Sequence, residues 1–163
     1  MRAGTRRSVR RVRAILLIGA LCAARPTAAA ADALHGSWRL NAARSHYGTG
    51  AEQRTDERLE CKAASGGIDC VMRSVRTDGR SFTATFRAAY DGKPHRVTGL
   101  PDVDAVALRA PSESIVDATF TLRGRPVFGY RAVRSSDDRA LTIISVAPET
   151  RRVLTSVVVY DRQ

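Results

Sequence analysis

The chain has 163 residues, 27 basic and 16 acidic side chains, a formal charge of +11 and three cysteines, a size that suits one domain. The charge is lopsided. Residues 1–31 hold seven of the basic residues and no acid, which leaves 20 basic against 16 acidic side chains in residues 32–163, a net charge of +4. Those basic residues are scattered singly with little aromatic interleaving, so the composition argues against a nucleic-acid partner.

In chain order, residues 1–13 carry Arg2, Arg6, Arg7, Arg10, Arg11 and Arg13, Ala14 to Ala24 is apolar, and Ala28 to Ala31 are small. This is the n-region, h-region and cleavage region of a signal peptide, with cleavage expected near Ala31 or Ala33. The apolar stretch is about eleven residues where a membrane-spanning helix needs about twenty, so stable membrane insertion is not expected after cleavage. Leu21 before Cys22 is too large for a lipobox, and Thr5-Arg6-Arg7-Ser8-Val9 is only a partial twin-arginine motif. The expected route is therefore general secretion, and the expected location is periplasmic or secreted. Residues 32–163 form the expected single domain.

Past that segment the pattern is short alternating runs separated by turn dipeptides at about ten-residue spacing, the signature of an antiparallel all-β meander. Strands are predicted near 36–41, 54–64, 68–76, 80–90, 93–98, 103–110, 114–123, 126–135, 139–146 and 152–161. The turns between them include Ser65-Gly66-Gly67, Thr77-Asp78-Gly79, Asp91-Gly92, Arg123-Gly124-Arg125, Asp137-Asp138 and Pro148-Glu149. Cys61 and Cys70 are the cysteines left after cleavage, and pairing them centres a hairpin on Ser65 and Gly66. That register sets Leu59 opposite Met72 and Ala63 opposite Ile68, all on one apolar face, within reach of a disulfide in an oxidising compartment.

Two further turns each admit two registers. A two-residue Asp78-Gly79 loop would send Phe82 and Phe86 to the face opposite the cysteines. A three-residue loop with Gly79 as a left-handed bulge sets Phe86 opposite Cys70 and Ala84 opposite Met72, and keeps one continuous apolar face. Likewise a three-residue Arg123-Gly124-Arg125 loop sets Phe120 against Phe128 and Ala118 against Tyr130, whereas a two-residue loop would turn Arg131 inward at a high desolvation cost. About eight to ten such strands, each with one apolar face, must close or fold over to bury it. An up-and-down barrel is the simplest closure, and a two-sheet sandwich is the alternative.

Gly36-Ser37-Trp38-Arg39-Leu40-Asn41 with Ala43 to Tyr47, then Ala89 to Pro94 through Val97-Thr98-Gly99 and Pro101-Asp102, and the terminal Val159 to Gln163 together resemble exported bacterial lipocalin-like proteins of unassigned function. The resemblance spans most of residues 32–163, and Gly36-x-Trp38 is similar to the lipocalin signature of the first strand. It implies a calycin-type barrel with ligand binding, in which Trp38 closes one end under Arg162 from the last strand. The cysteine pair departs from the usual pattern of such sequences. Related haem-binding barrels use a histidine near the C-terminus, and no histidine follows His95, so haem is not carried over.

No catalytic residue stands out. There is no Gly-x-Ser-x-Gly elbow and no cysteine to spare as a nucleophile, and His35, His46 and His95 lack metal-ligand spacing, so neither a metal nor a cofactor is expected. Asp56-Glu57 and Asp137-Asp138 read as solvated turns or strand ends. A two-residue Asp91-Gly92 turn would pair Phe86 with Val97 and Ala88 with His95, pointing His95 inward near Tyr90 at the barrel mouth. Phe82, Phe86, Tyr90, Phe120, Phe128 and Tyr130 recur on the inward face. The first functional expectation is a binding barrel for a small apolar molecule, with Phe86, Tyr90, Phe120, Phe128 and Tyr130 as wall and His95 near the mouth. It requires an internal cavity on the order of several hundred cubic ångströms. The alternatives are a cell-envelope interaction or inhibitor module with a filled core, whose partner is a protein, and an isomerase or cyclase acting inside the barrel.

Overall fold

The structure is a computed structural model that describes residues 33–48, 51, 53–147 and 153–163, with backbone alone for 153–155. The signal peptide expected over 1–31 and the turn expected at 148–149 lie outside the described residues. Ten strands follow one another: β1 (Gly36–Leu40), β2 (Arg54–Ala64), β3 (Gly67–Arg76), β4 (Ser81–Ala89), β5 (His95–Thr98), β6 (Ala105–Ser112), β7 (Ile115–Leu122), β8 (Arg125–Arg134), β9 (Ala140–Val146) and β10 (Val153–Arg162). Each pairs antiparallel with its neighbours in sequence, and β1 pairs with both β2 and β10, so the sheet closes into an up-and-down barrel. Closure gives every strand two partners, which removes the free edges a sandwich would keep.

The hairpin chemistry sets the registers. Cys61 faces Cys70 and Leu59 faces Met72, and the two cysteines form a disulfide with Cα atoms 4.2 Å apart. At the next turn Gly79 has φ +82°, the Arg76 N–H donates to the Arg80 carbonyl and the Gly79 N–H to the Arg76 carbonyl. This is the three-residue loop with a glycine bulge, and it places Phe86 opposite Cys70 and Ala84 opposite Met72.

The β7–β8 hairpin reaches the expected register by another route. Leu122 pairs with Arg125, so the loop is the two residues Arg123 and Gly124, at φ +52° and +76°, the left-handed pair that a tight hairpin requires. The ladder then shifts between Phe120 and Thr121, with Val127 as the extra residue on β8. That bulge returns Phe128 opposite Phe120 and Tyr130 opposite Ala118, and pairs Arg131 with Asp117, whose carboxylate it meets at 2.8 and 2.9 Å.

The β4–β5 hairpin is looser than a two-residue Asp91-Gly92 turn would make it. Its ladder holds only Thr85 with Thr98 and Phe86 with Val97, and residues 90–94 form a wider loop. Pro94, at the position the register would set opposite Ala89, has no N–H to add to the ladder. The Ala89 N–H instead donates to the His95 ring Nε2 at 3.3 Å.

Because consecutive turns lie at alternate ends, the barrel has two distinct halves. The half nearest the 65–66, 90–94 and 135–139 turns is filled by Trp38, Ile68, Leu108, Val116 and Leu141, all fully buried, and by the disulfide. Trp38 donates its Nε1–H to the Leu34 carbonyl at 2.9 Å, and the Arg162 guanidinium lies 5.2 Å from its ring centroid. Asp138, a member of a pair read as solvated, accepts a hydrogen bond from Arg162 and lies 3.3 Å from Arg134. The tryptophan and the arginine thus seal this end with a cation–π contact.

Candidate functional site

The other half of the barrel is not filled. Ala84 and Val97 face the interior where Ile68 and Leu108 fill the closed half, and a cavity of about 180 Å³ remains. Four of the expected wall residues, Phe86, Phe120, Phe128 and Tyr130, line it. Phe120 stacks on Phe128 with ring centroids 4.4 Å apart and tilts against Tyr130 at 5.6 Å. Phe128 is 43% exposed, so it forms the rim while Phe120 and Tyr130 form the wall below it.

Tyr90 and His95 do not line this cavity. Tyr90 is partly buried against the core just beyond the end of β4. The His95 Nε2 lies 3.0 Å from the Asp91 Oδ1. The Asp91 carboxyl is held below its ordinary range chiefly by the Lys93 N–H and then by the His95 ring. The parity that turned both residues inward is sound, but their hairpin turn sits at the closed end. A pocket at the opposite mouth is out of their reach.

One wall of the cavity is polar, and its residues are Arg54, Glu57, Tyr160 and Tyr47. Glu57 is 2% exposed. It shares the inward parity of Leu59 and Cys61 on β2, and Ser74 stands opposite it. The expectation that Asp56-Glu57 forms a solvated strand end is therefore corrected: the Asp56 side chain is 43% exposed and Glu57 is buried. A buried carboxylate requires compensation. Arg54 supplies it, with Nη1 donating to Oε1 at 3.2 Å and Nε lying 3.2 Å from Oε2. The ladder between β2 and β3 shifts at this point, between Arg54 and Asp56, which places Arg54 three residues from Glu57 on the cavity side. The Tyr160 hydroxyl also donates to Oε1.

Tyr160 is 1% exposed. Burial above all, and then the Glu57 charge, push its phenol well above the ordinary tyrosine range, so it remains a neutral donor.

Tyr47 reaches the mouth because the chain crosses the end of β10 after β1. The Asn41 side chain accepts the Arg44 N–H at 3.1 Å to cap a short 3-10 turn, Ala42–Arg44. His46 then bridges Val157 through paired backbone hydrogen bonds of 2.7 and 2.8 Å, and the Gly48 N–H donates to the Ser156 Oγ at 2.9 Å. Held between these anchors, Tyr47 lines the cavity with its hydroxyl shielded from solvent and, among the described residues, with no acceptor for its proton. Burial raises its pKa too, with the Arg54 charge opposing, Glu57 adding to the rise and the approach of the Arg54 backbone N–H opposing it.

The chain has no match among protein-family models, curated proteins or solved structures. Function is therefore read from the cavity itself. Among the described residues no group of three or more histidine, cysteine or acidic side chains is placed to hold a metal ion. Glu57 Oε1 accepts from Arg54 and Tyr160, and Oε2 lies 3.2 Å from the Arg54 Nε. Arg54, Glu57, Tyr47 and Tyr160 are the site residues that motif reading missed. The strand alternation that turned Leu59 and Cys61 inward was the signal for Glu57.

Proposed function

We propose that this chain is a lipocalin-like binding barrel that works in the periplasm or outside the cell, where it holds a small, largely apolar molecule in the open half. The observation that carries the reading is the 180 Å³ cavity, walled by Phe86, Phe120 and Tyr130 on one side and by the Glu57 cluster on the other. A few polar groups converging on an apolar hollow are the usual form of a ligand site. The size is smaller than the several hundred cubic ångströms expected from the sequence. An apolar cavity of about 150 Å³ accommodates benzene, so the ligand is the size of one ring with a short substituent. The disulfide is in keeping with an oxidising compartment.

Native mass spectrometry of protein purified from its own host tests the reading directly. The expected result is a retained small molecule that is absent from an Ala84→Phe variant, in which the added ring occupies the cavity. A wild-type protein that carries nothing, and whose melting temperature no ring-sized compound raises, overturns it. The second reading, a module that docks an envelope protein, draws on Val127 and Phe128, 45% and 43% exposed at the β7–β8 hairpin. Two side chains fall far short of the area of a stable interface, so the cavity is the better-supported site.

A further inference from the structure

Among the described residues, the polar wall of the cavity has one buried hydroxyl whose proton meets no acceptor. Glu57 Oε1 accepts from Arg54 and Tyr160, and Oε2 faces the Arg54 Nε at 3.2 Å as an ion pair. The Ser156 hydroxyl already accepts the Gly48 N–H. The Tyr47 hydroxyl, in contrast, lines the cavity, is shielded from solvent and, among the described residues, finds no acceptor for its proton, while the Arg54 backbone N–H approaches its oxygen. A buried hydroxyl in that state is destabilising, and an oxygen on the occupant would relieve it.

The charges point the same way. Arg54 and Glu57 neutralise one another within the wall. Among the described residues, Arg54 and Glu57 are the only charged side chains that line the cavity; Arg76 stands opposite Arg54 in the β2–β3 ladder, lies 5.1 Å from the Phe82 ring centroid and does not line it. An ionised ligand would enter an apolar hollow whose described charges are already paired with each other, which is strongly unfavourable. Resting on the binding-barrel reading above, we infer that the cavity selects a neutral, ring-sized molecule bearing one oxygen, a phenol, ketone or alcohol, hydrogen-bonded to the Tyr47 hydroxyl.

Burial and the Glu57 charge both keep the Tyr47 phenol protonated. It is therefore available both as a donor to a ketone and as an acceptor from a phenol or alcohol, and this breadth is why the class is set by charge and size rather than by donor type.

The test is calorimetric titration of the full-length purified protein at neutral pH with compounds matched in size. Toluene and phenol differ in the polar group, acetophenone and benzoate in negative charge, and benzyl alcohol and benzylammonium in positive charge. Phenol should bind about two- to tenfold tighter than toluene, the range of one net hydrogen bond. Acetophenone and benzyl alcohol should bind at least about tenfold tighter than their charged counterparts. Tyr47→Phe should bring the phenol-to-toluene ratio to about one, with the unliganded melting temperature confirming that the variant is folded.

If none of the six compounds binds, the binding-barrel reading fails and this inference with it. If they bind but phenol and toluene do so equally in the wild type, the inference alone fails: Tyr47 is then satisfied by water or left unpaired. A preference for benzoate or benzylammonium likewise overturns it while leaving the binding barrel in place.

Discussion

Replacing Arg54 by methionine removes the cation beside a carboxylate that is 2% exposed while preserving most of the side chain's volume. Breaking a fully buried ion pair from one side costs about 3–5 kcal/mol. The Arg54 side chain is itself 28% exposed, so solvent reaches the vacated position and the expected loss falls to about 2–3 kcal/mol. Glu57→Leu removes the carboxylate instead, frees Arg54 to turn toward water and strands the Tyr160 hydroxyl, a loss of about 1–3 kcal/mol. Combining both with Tyr160→Phe replaces the whole polar cluster by apolar groups, and its stability should return to within about 1–2 kcal/mol of the wild type. The assay is urea unfolding followed by the fluorescence of the single tryptophan, Trp38, which is fully buried at the far end of the barrel and so reports global unfolding. Unchanged m-values would justify comparing midpoints. A loss below about 1 kcal/mol for Arg54→Met, or a triple variant as unstable as the sum of its single substitutions, would refute the account of a desolvated, coupled cluster.

The two raised phenols make stability fall at high pH. Tyr47 and Tyr160 stay neutral in the fold, whereas the unfolded chain ionises them near pH 10; their contribution is complete below about pH 10 and is lost as pH rises toward the folded values. Absorbance titration of the wild type against Tyr47→Phe and Tyr160→Phe should show these two phenols ionising late and together with unfolding; their ionisation near pH 10 in a folded protein would contradict this. Reducing the disulfide, or substituting both cysteines by alanine, opens a loop closed over a separation of nine residues and should destabilise by about 2.5 kcal/mol in the chain-entropy account, read as a lower urea midpoint; an unshifted midpoint would remove its role as a staple. Gly99→Ala combines a φ of +85° with a Cβ placed 1.8 Å from the Thr83 carbonyl oxygen and should destabilise by several kcal/mol or prevent folding, while Gly79→Ala, at φ +82° with open space around it, should cost only about 1 kcal/mol. Equal losses in the same unfolding assay would show that the backbone conformation, not the contact, dominates.

Strand positions, the cysteine pairing and the inward set Phe86, Phe120, Phe128 and Tyr130 were legible because they depend on neighbouring hairpins. Alternation assigns each residue a face, and the turn residues assign each face a partner. The β7–β8 hairpin shows the limit of turn chemistry: apolar matching chose the register of Phe120 and Phe128, while the loop is two residues long and the compensating bulge lies at Val127. His95 and Tyr90 show another limit, since parity places a side chain inside the barrel but says nothing of which end is open. Glu57 was hidden for a different reason. Its inward parity was plain, but an acid adjacent to another acid reads as solvated until its partners are known. Those partners come from a ladder shift before Asp56 and from Tyr160, a residue 103 positions away.

By itself the sequence determined an antiparallel all-β chain, its strands, most of its hairpin registers and the Cys61–Cys70 staple, because these follow from interactions between residues close in sequence. Tertiary structure alone decided between a closed barrel and a sandwich, and that the empty volume lies at the end away from Trp38 and Arg162, beside Glu57, Tyr160 and Tyr47. Where a barrel is filled and where it is hollow depends on side-chain volumes summed across ten strands and on where the chain crosses its ends. No local pattern encodes that sum.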